Sequence, residues 1–506
     1  ITIGLKDMID TNAHRVMANY INRMSGAVAI ARTLDVYKMS EWENLLKHAM
    51  RQQLGTPLMS EAKKAKLEKH LRFAMDRILG IPQEEFTCLN KGLEMLRKYN
   101  VIRLMGGAVF NQLVEYSNVA GTVGMKATLE AVGELHGIIR DARTGKLSHE
   151  LLSGIEDLMG GAGLEFSRQL DFAHDDWVRK LGNTKTARAL DKLDSALDRG
   201  ASGVLYYTGM TPLTLQQQRV FSLAYMNRLI DIAHAAGDRS YFSKDRLHWM
   251  GLSENDFEQI LASLKTYTKE RKGINDAQYN IIDFERFVKE RPEEYNKLAL
   301  AVRRESRRVV QENDLASMIP IMGTTFGKTM FQFMNFAMQA WSKSMLFSLN
   351  HRDFSTYMTV LYGGTLSCLV YIARTYTQAA GMEAQERKEF LEKRLAVQQI
   401  VANTFGRLQQ ATVLPNLIDT VSPVPFFSGM RTTSDASGLV SNPSWQLINS
   451  VISAKKLIRN GLSDEEQTTQ RDARALFRIL PLTNTIPAMV MGNWLMKDLP
   501  TSEKEN

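Results

Sequence analysis

The stretch from Leu315 to Gln378 constrains the fold more than any other, because it holds two long, nearly charge-free runs separated by a short polar break, Asn350-His351-Arg352-Asp353. The first run places Phe326, Met330, Phe333, Ala337, Trp341 and Met345 at steps of three to four, the spacing of one helix face. Phe331, Met334, Phe336, Met338 and Leu346 put apolar groups on its other faces, and a helix that is apolar all round is buried in protein or in lipid. The second run, 354–373, is 20 residues without a charge, and about 20 apolar residues span a bilayer. It also carries Ser355, Thr356, Thr359, Thr365 and Ser367 and the pair Gly363-Gly364, small residues that favour close helix packing in lipid or in water. The expectation is a hydrophobic hairpin over 326–373. Its candidate contacts with a membrane or a partner are Phe326, Met330, Phe333, Trp341, Tyr362, Gly363 and Gly364, joined by Trp494 from the last apolar segment.

At 506 residues the chain is too long for one core. Its 12 prolines are few for that length, and with the long 3.6-residue patterns they predict an all-α fold, an elongated multi-helical array of several helical subdomains. The expected divisions are an N-terminal helical region (1–200), a middle helical region (201–314) and an apolar C-terminal region (315–506) that contains the hairpin. The 26 methionines exceed common usage, and Met is the adaptable filler of surfaces that repack against different partners. Cys88 and Cys368 lie too far apart in sequence to suggest a disulfide framework or a zinc ligand set, so a reducing compartment is expected. A net charge of +8 favours contact with nucleic acid or anionic lipid, although dispersed Lys and Arg more often form a solvated surface. The chain does not begin with Met, so Ile1 reads as an internal point of a longer polypeptide, and 501–506 as a polar C-terminus.

Taken in order, helices are expected over Leu5–Leu34, with Met17, Ile21, Met24, Val28 and Ala31 on one face, then over Glu41–Gln52 and Lys63–Leu79. Gly106-Gly107 sits between two apolar helical halves and reads as a kink; no strand precedes it and no Gly-Lys-Ser/Thr follows, as a phosphate loop requires. The cluster 160–163 reads as a helix connection, and His174-Asp175-Asp176 as a charged surface without further metal ligands at hand. Asn183–Gly203 is polar and charged, the best candidate for a linker or an exposed hairpin. Thr211 fits an N-cap with Pro212 at the first helical position, and Ser253 fits a second cap with Asp256 in the first turn. Arg303, Arg304, Arg307 and Arg308 form a basic edge, read as a solvated helix face and otherwise as a contact for lipid or DNA. Prolines 415, 423 and 425 predict an irregular loop over 413–429, and the final pattern, 475–495, reads as a proline-broken apolar helix pair. With no HExxH, GxSxG, P-loop or paired-Cys pattern, no catalytic residue, metal or cofactor is expected.

Four short segments occur in an order shared with one known family: Val101-Ile-Arg-Leu-Met-Gly106, Thr208-Gly-Met-Thr-Pro-Leu213, Gly327-Lys-Thr-Met-Phe-Gln332-Phe333-Met-Asn-Phe336 and Phe477-Arg-Ile-Leu-Pro481, the last continuing to Asn484. In these the chain resembles the large internal virion (ejection) proteins of short-tailed bacteriophages. The resemblance implies a protein packed in the capsid core on the portal, with other internal core proteins and further copies of itself as partners. It implies loose contact with viral double-stranded DNA, and after ejection a place in the host envelope, where such proteins help form a channel for DNA. Some members carry a lytic transglycosylase. Its signature, a catalytic Glu followed by Ser with a Gly-Leu-Met-Gln type segment downstream, does not occur as a set between Ile1 and Asn506, so that activity is expected upstream if this protein has it. A membrane-active pore-forming toxin, and a non-catalytic part of a peptidoglycan-degrading virion enzyme, are the alternatives that share the apolar hairpin and the basic flank.

Overall fold

The computed structural model describes residues 13–54, 60–79, 81, 87–107, 109–143, 154–155, 158, 185–234, 237–272, 278–310, 320–333, 340–408, 411, 444, 447, 450–451, 473, 476–477, 479–483 and 485–496. It is all-α, and the strands among these residues form one antiparallel pair. In chain order the helices are α1 (Ala13–Leu34), α2 (Met39–Leu54), α3 (Glu61–Ile78), α4 (Cys88–Leu104), α5 (Val109–Val114), α6 (Tyr116–Val123), α7 (Met125–Arg143), α8 (Lys185–Tyr207) and α9 (Met210–Ala233). Then come α10 (Lys244–Met250), α11 (Glu254–Tyr267), the ribbon β1 (Thr268–Lys272) and β2 (Gln278–Ile282), α12 (Phe284–Glu290), α13 (Pro292–Val309) and α14 (Thr325–Met330). The described chain closes with α15 (Phe347–His351), α16 (Phe354–Gln378), α17 (Ala384–Arg394), α18 (Val397–Arg407) and α19 (Ile486–Met496). In the ribbon Thr268 pairs with Ile282 and Lys272 with Gln278.

Local chemistry sets several boundaries. Ser253 Oγ accepts from the Asp256 N–H while the Asp256 carboxylate accepts from the Ser253 N–H, a reciprocal cap that fixes the start of α11 as expected. The glycine pair after α4 forms a tight turn, Met105–Gly107, between two helices. At α9 the expected cap is displaced. Gly209, in a left-handed conformation (φ 85°), precedes the helix, so Thr211 and Pro212 fall inside the first turn. Pro212 is tolerated there because first-turn N–H groups have no partner within the helix.

Two expectations are overturned. The segment 183–203 is no linker, since 185–207 forms the 23-residue helix α8. Nor is 326–349 one helix of a hairpin. Helix α14 ends at Met330, Phe333 takes a left-handed φ of 67°, and Trp341–Leu346 winds as a π-helical turn. The segments 160–163, 174–176 and 413–429 lie outside the described residues.

The chain divides into two compact units, each gathered from three separate segments, with boundaries at 201/202 and 312/313, beside the expected divisions, and others at 101/102, 170/171 and 335/336. Unit 1 comprises 1–101, 171–201 and 313–335. Its apolar nucleus is small, Ile30, Val36 and Met75 with Trp42, Ile78 and Leu79 against them. Leu46, Phe73 and Val101 are buried outside that cluster, and buried ion pairs add to it. Lys98, fully buried on α4, reaches Glu94 at 2.9 Å, Asp194 at 2.6 Å and Asp198 at 2.9 Å, and Lys91 reaches Asp194 at 2.8 Å. Burial opposes the Lys98 charge, but Glu94, Asp194 and Asp198 outweigh it and raise its pKa. Asp194 and Asp198 stand one turn apart on α8, which is why a polar segment folds as a docked helix. Unit 1 also joins α4 to α14 through Arg97, which donates to the Thr325 carbonyl at 3.1 Å and to Thr329 Oγ1 at 3.0 Å.

Unit 2 comprises 102–170, 202–312 and 336–506 and holds the main apolar core. Helix α9 is its centre, with Val220, Phe221, Ala224, Tyr225, Leu229 and Ile230 buried among α6, α7, α11 and α13. Burial raises the Tyr225 pKa far above the ordinary phenol.

Candidate interaction helix and its anchor

Helix α16 partitions its side chains in the reverse of the usual way. Its buried side chains are mostly small and polar: Ser355, Thr356, Thr359, Ser367 and Thr375, with Gly363, Val370 and Tyr371. Phe354, Tyr357, Val360, Leu361, Leu369 and Tyr376 are exposed, Tyr357 at 66% and Leu361 at 59%. Residues 354, 357, 361, 369 and 376 recur at helical spacing and make one outward stripe. A water-facing helix shows the opposite pattern. Among the described residues α16 is the one helix long and apolar enough to cross a membrane, and only 33% of its most apolar part is buried.

The packed side of α16 depends on smallness. It lies on α6 so closely that a Cβ on Gly121 would stand 2.1 Å from Thr359 Oγ1 and 2.4 Å from Thr359 Cα. Ser355 Oγ donates to the Gly121 carbonyl at 2.7 Å, and Thr359 Oγ1 donates back to the Ser355 carbonyl at 2.7 Å. Hydroxyl bonds between helices at small-residue contacts are the means by which helices associate where apolar burial gives no drive. At the other end Tyr371 Oη donates to the Arg394 carbonyl at 2.6 Å, and Asn493 Nδ2 to the Gln378 carbonyl at 3.0 Å.

The N-terminus of α16 is held by a buried charge cluster. Asp353 caps the helix, accepting from Thr356 N at 2.9 Å and Thr356 Oγ1 at 2.8 Å. Arg246 on α10 grips the same carboxylate with two bonds, Nε at 2.9 Å and Nη2 at 3.0 Å, and donates to Glu305 on α13 at 2.9 Å. Glu305 also accepts from Arg308 Nε at 3.0 Å and Nη2 at 2.5 Å, and Arg308 reaches Thr122 on α6 at 3.2 Å. The Phe347 ring lies under both guanidiniums, 5.0 Å from Arg246 and 4.2 Å from Arg308. Two positive and two negative groups cancel, as burial demands. Burial opposes ionisation of Asp353, yet the Arg246 guanidinium and the Thr356 donors hold its carboxyl well below the usual carboxylate range. Glu305 behaves likewise, lowered by Arg308 and then Arg246 against the penalty of burial.

The structure separates the sequence candidates. Phe326, Met330 and Phe333 are exposed in unit 1, whereas Trp341, Tyr362, Gly363, Gly364 and Trp494 belong to unit 2. Trp341 and Tyr362 are half-buried, Gly363 is buried on the packed side, Gly364 borders open space, and Trp494 is exposed on α19. Of the basic edge, Arg304 and Arg307 are exposed and Arg303 is half-buried. Arg304 Nη1 donates to the Trp249 carbonyl at 2.7 Å. Arg308 is buried in the charge cluster, so it is no surface contact: its helix turns it toward Glu305 and away from water. Sequence reasoning missed Arg246 and Glu305, and read Asp353 as part of a polar hinge. Asp353 followed by Thr356 carried an N-cap signal. Arg246 and Asp353 stand 107 residues apart, beyond any spacing rule. Among the described residues no group of three His, Cys, Asp or Glu side chains is placed to hold a metal ion. Comparison with family models, with curated proteins and with solved structures finds no match for this chain.

Proposed function

We propose that this chain is a non-enzymatic structural and translocation protein of the internal-virion, ejection type. In this reading it packs inside a capsid against the portal, other core proteins and further copies of itself. It then leaves for the host envelope and helps line a path for DNA, with no cofactor. The observation that carries the reading is the inverted surface of α16: an uncharged stripe turned outward while Ser, Thr and Gly fill the helix contact. A chain that ended its life as a free water-soluble monomer would gain by burying that stripe, at about 25 cal/mol for each Å² removed from water. A chain covered first by neighbouring subunits and later by lipid has no such need. The methionine content, the all-α fold and the small nucleus of unit 1 suit a protein that opens and repacks.

The test is flotation of the full chain with vesicles of phosphatidylcholine alone. The wild type is expected to float, and a Leu361→Glu/Leu369→Glu variant, altered only at exposed positions of the stripe, is expected to stay at the bottom of the gradient. Equal flotation of the two removes α16 from the membrane reading.

A further inference from the structure

Helix α1 has two apolar sides, and only one of them is used. Gly26 lies so close to α3 that a Cβ there would stand 2.0 Å from the Ile78 carbonyl oxygen, and Ile30 is buried beside Met75. On the opposite side Met17, Tyr20, Ile21, Met24 and Val28 fall within an arc of about 100°. All five are exposed, Met17 at 58% and Tyr20 at 59%. Among the described residues nothing covers this second stripe. From Ala13 to Leu34 the sequence contains His14, Arg15, Arg23 and Arg32 and no carboxylate. Arg23 and Arg32 are exposed, and helical geometry sets them on the two sides of the stripe. The nearest acidic residues in sequence, Asp10 and Asp35, lie outside the helix on either side.

We propose that α1 is an in-plane anchor for an anionic lipid surface, distinct from α16 and independent of the proposal made for that helix. A long helix with one apolar face and only basic charge is the composition that lies at the headgroup boundary, its apolar side dipped among the acyl chains. Arg23 stands near the midpoint, where a spanning helix would carry it into the hydrocarbon, so the helix lies along the surface. Charge also decides against a second copy of α1 as occupant. Paired helices draw on opposite charges flanking the seam, and two copies of this helix would bring only cations together. In the same unit α3 exposes Lys63, Lys66 and Lys69 against one exposed carboxylate, Glu61, a net positive balance.

The experiment uses the full chain with two kinds of vesicle, phosphatidylcholine alone and phosphatidylcholine mixed with phosphatidylglycerol. The wild type is expected to bind the mixed vesicles more tightly. Met24→Glu/Val28→Glu removes that gain, and Arg23→Gln/Arg32→Gln weakens it by about tenfold or more, since each basic group at an anionic surface contributes about 1 kcal/mol. The Leu361→Glu/Leu369→Glu variant keeps the gain, which separates this proposal from the role given to α16. A nitrobenzoxadiazole probe on Ile21→Cys, with Cys88→Ser and Cys368→Ser, is expected to brighten and shift to the blue only on mixed vesicles. Equal binding of the wild type to both vesicle kinds, or no change in the probe, overturns the proposal. So does a Met24→Glu/Val28→Glu variant that changes only its oligomeric state in light scattering, since the stripe would then be a contact between copies.

Discussion

Asp353 serves two structures at once, closing the first turn of α16 with its bonds to Thr356 and receiving both arms of the Arg246 fork. Removing one member of such a buried set leaves the others charged and without compensation, which costs about 3–5 kcal/mol. Arg246→Met is therefore expected to lower the unfolding free energy from urea titration by that order, whereas an exposed neighbour such as Lys244→Met should move it by less than about 0.5 kcal/mol. The pH dependence has a definite sign. The folded carboxyl lies below its unfolded value of about 4, so the stabilisation is complete above that value and fades as pH falls through the folded pKa. Midpoints measured from neutral pH to pH 3 should fall on the acid side for the wild type. They should fall less steeply for Asp353→Asn, and parallel curves would show that the carboxylate is not what the acid limb reports.

Among the elements, helix existence was legible wherever the deciding chemistry is local. The cap at Ser253 and Asp256 lies within four residues, and the uncharged run 354–373 announced α16 nearly end to end. Which face of α16 turns outward was not legible, because small polar and large apolar residues alternate around it and the helices packed against it, α6 and α18 foremost, decide between them. Helix α8 was misread for a related reason: its acidic side chains look solvated until Lys91 and Lys98, roughly a hundred residues earlier, are brought against them. The supposed first helix of a hairpin failed because side-chain periodicity carries no information about the left-handed turn at Phe333. Two outcomes follow at this scale. Gly121→Ala should destabilise unit 2 by about 1–3 kcal/mol, because the intruding methyl meets the Thr359 backbone, which cannot step aside as a flexible side chain would. Asp194→Ala should lower stability by about 1.5–3 kcal/mol, and hydrogen exchange should locate the loss in α8.

At the scale of the molecule, two units with unequal apolar nuclei should not open together. Backbone amides of α1 to α3, resting on a small cluster of buried apolar residues, are expected to exchange with deuterium well before those of α9, which sits inside the large core. Uniform protection across both would contradict that ordering. The net charge of +8 supports contact with DNA, and its expected form is binding without sequence preference that weakens steeply as salt rises. A binding curve that ignores salt would remove DNA from the set of partners.

The two ends of α16 are fastened differently. One is fixed by paired ions whose separation is costly, while the far end is held by hydrogen bonds from Tyr371 and Asn493, by the Arg407 guanidinium over the Tyr371 ring and by packing against α18. A rod so mounted has a strong fastening at one end and a weaker one at the other. Whatever displaces it will swing the Gln378 end through an arc while Asp353 stays in place, so a pair of distance labels at the two ends should report rotation about a fixed point and not sliding along the axis.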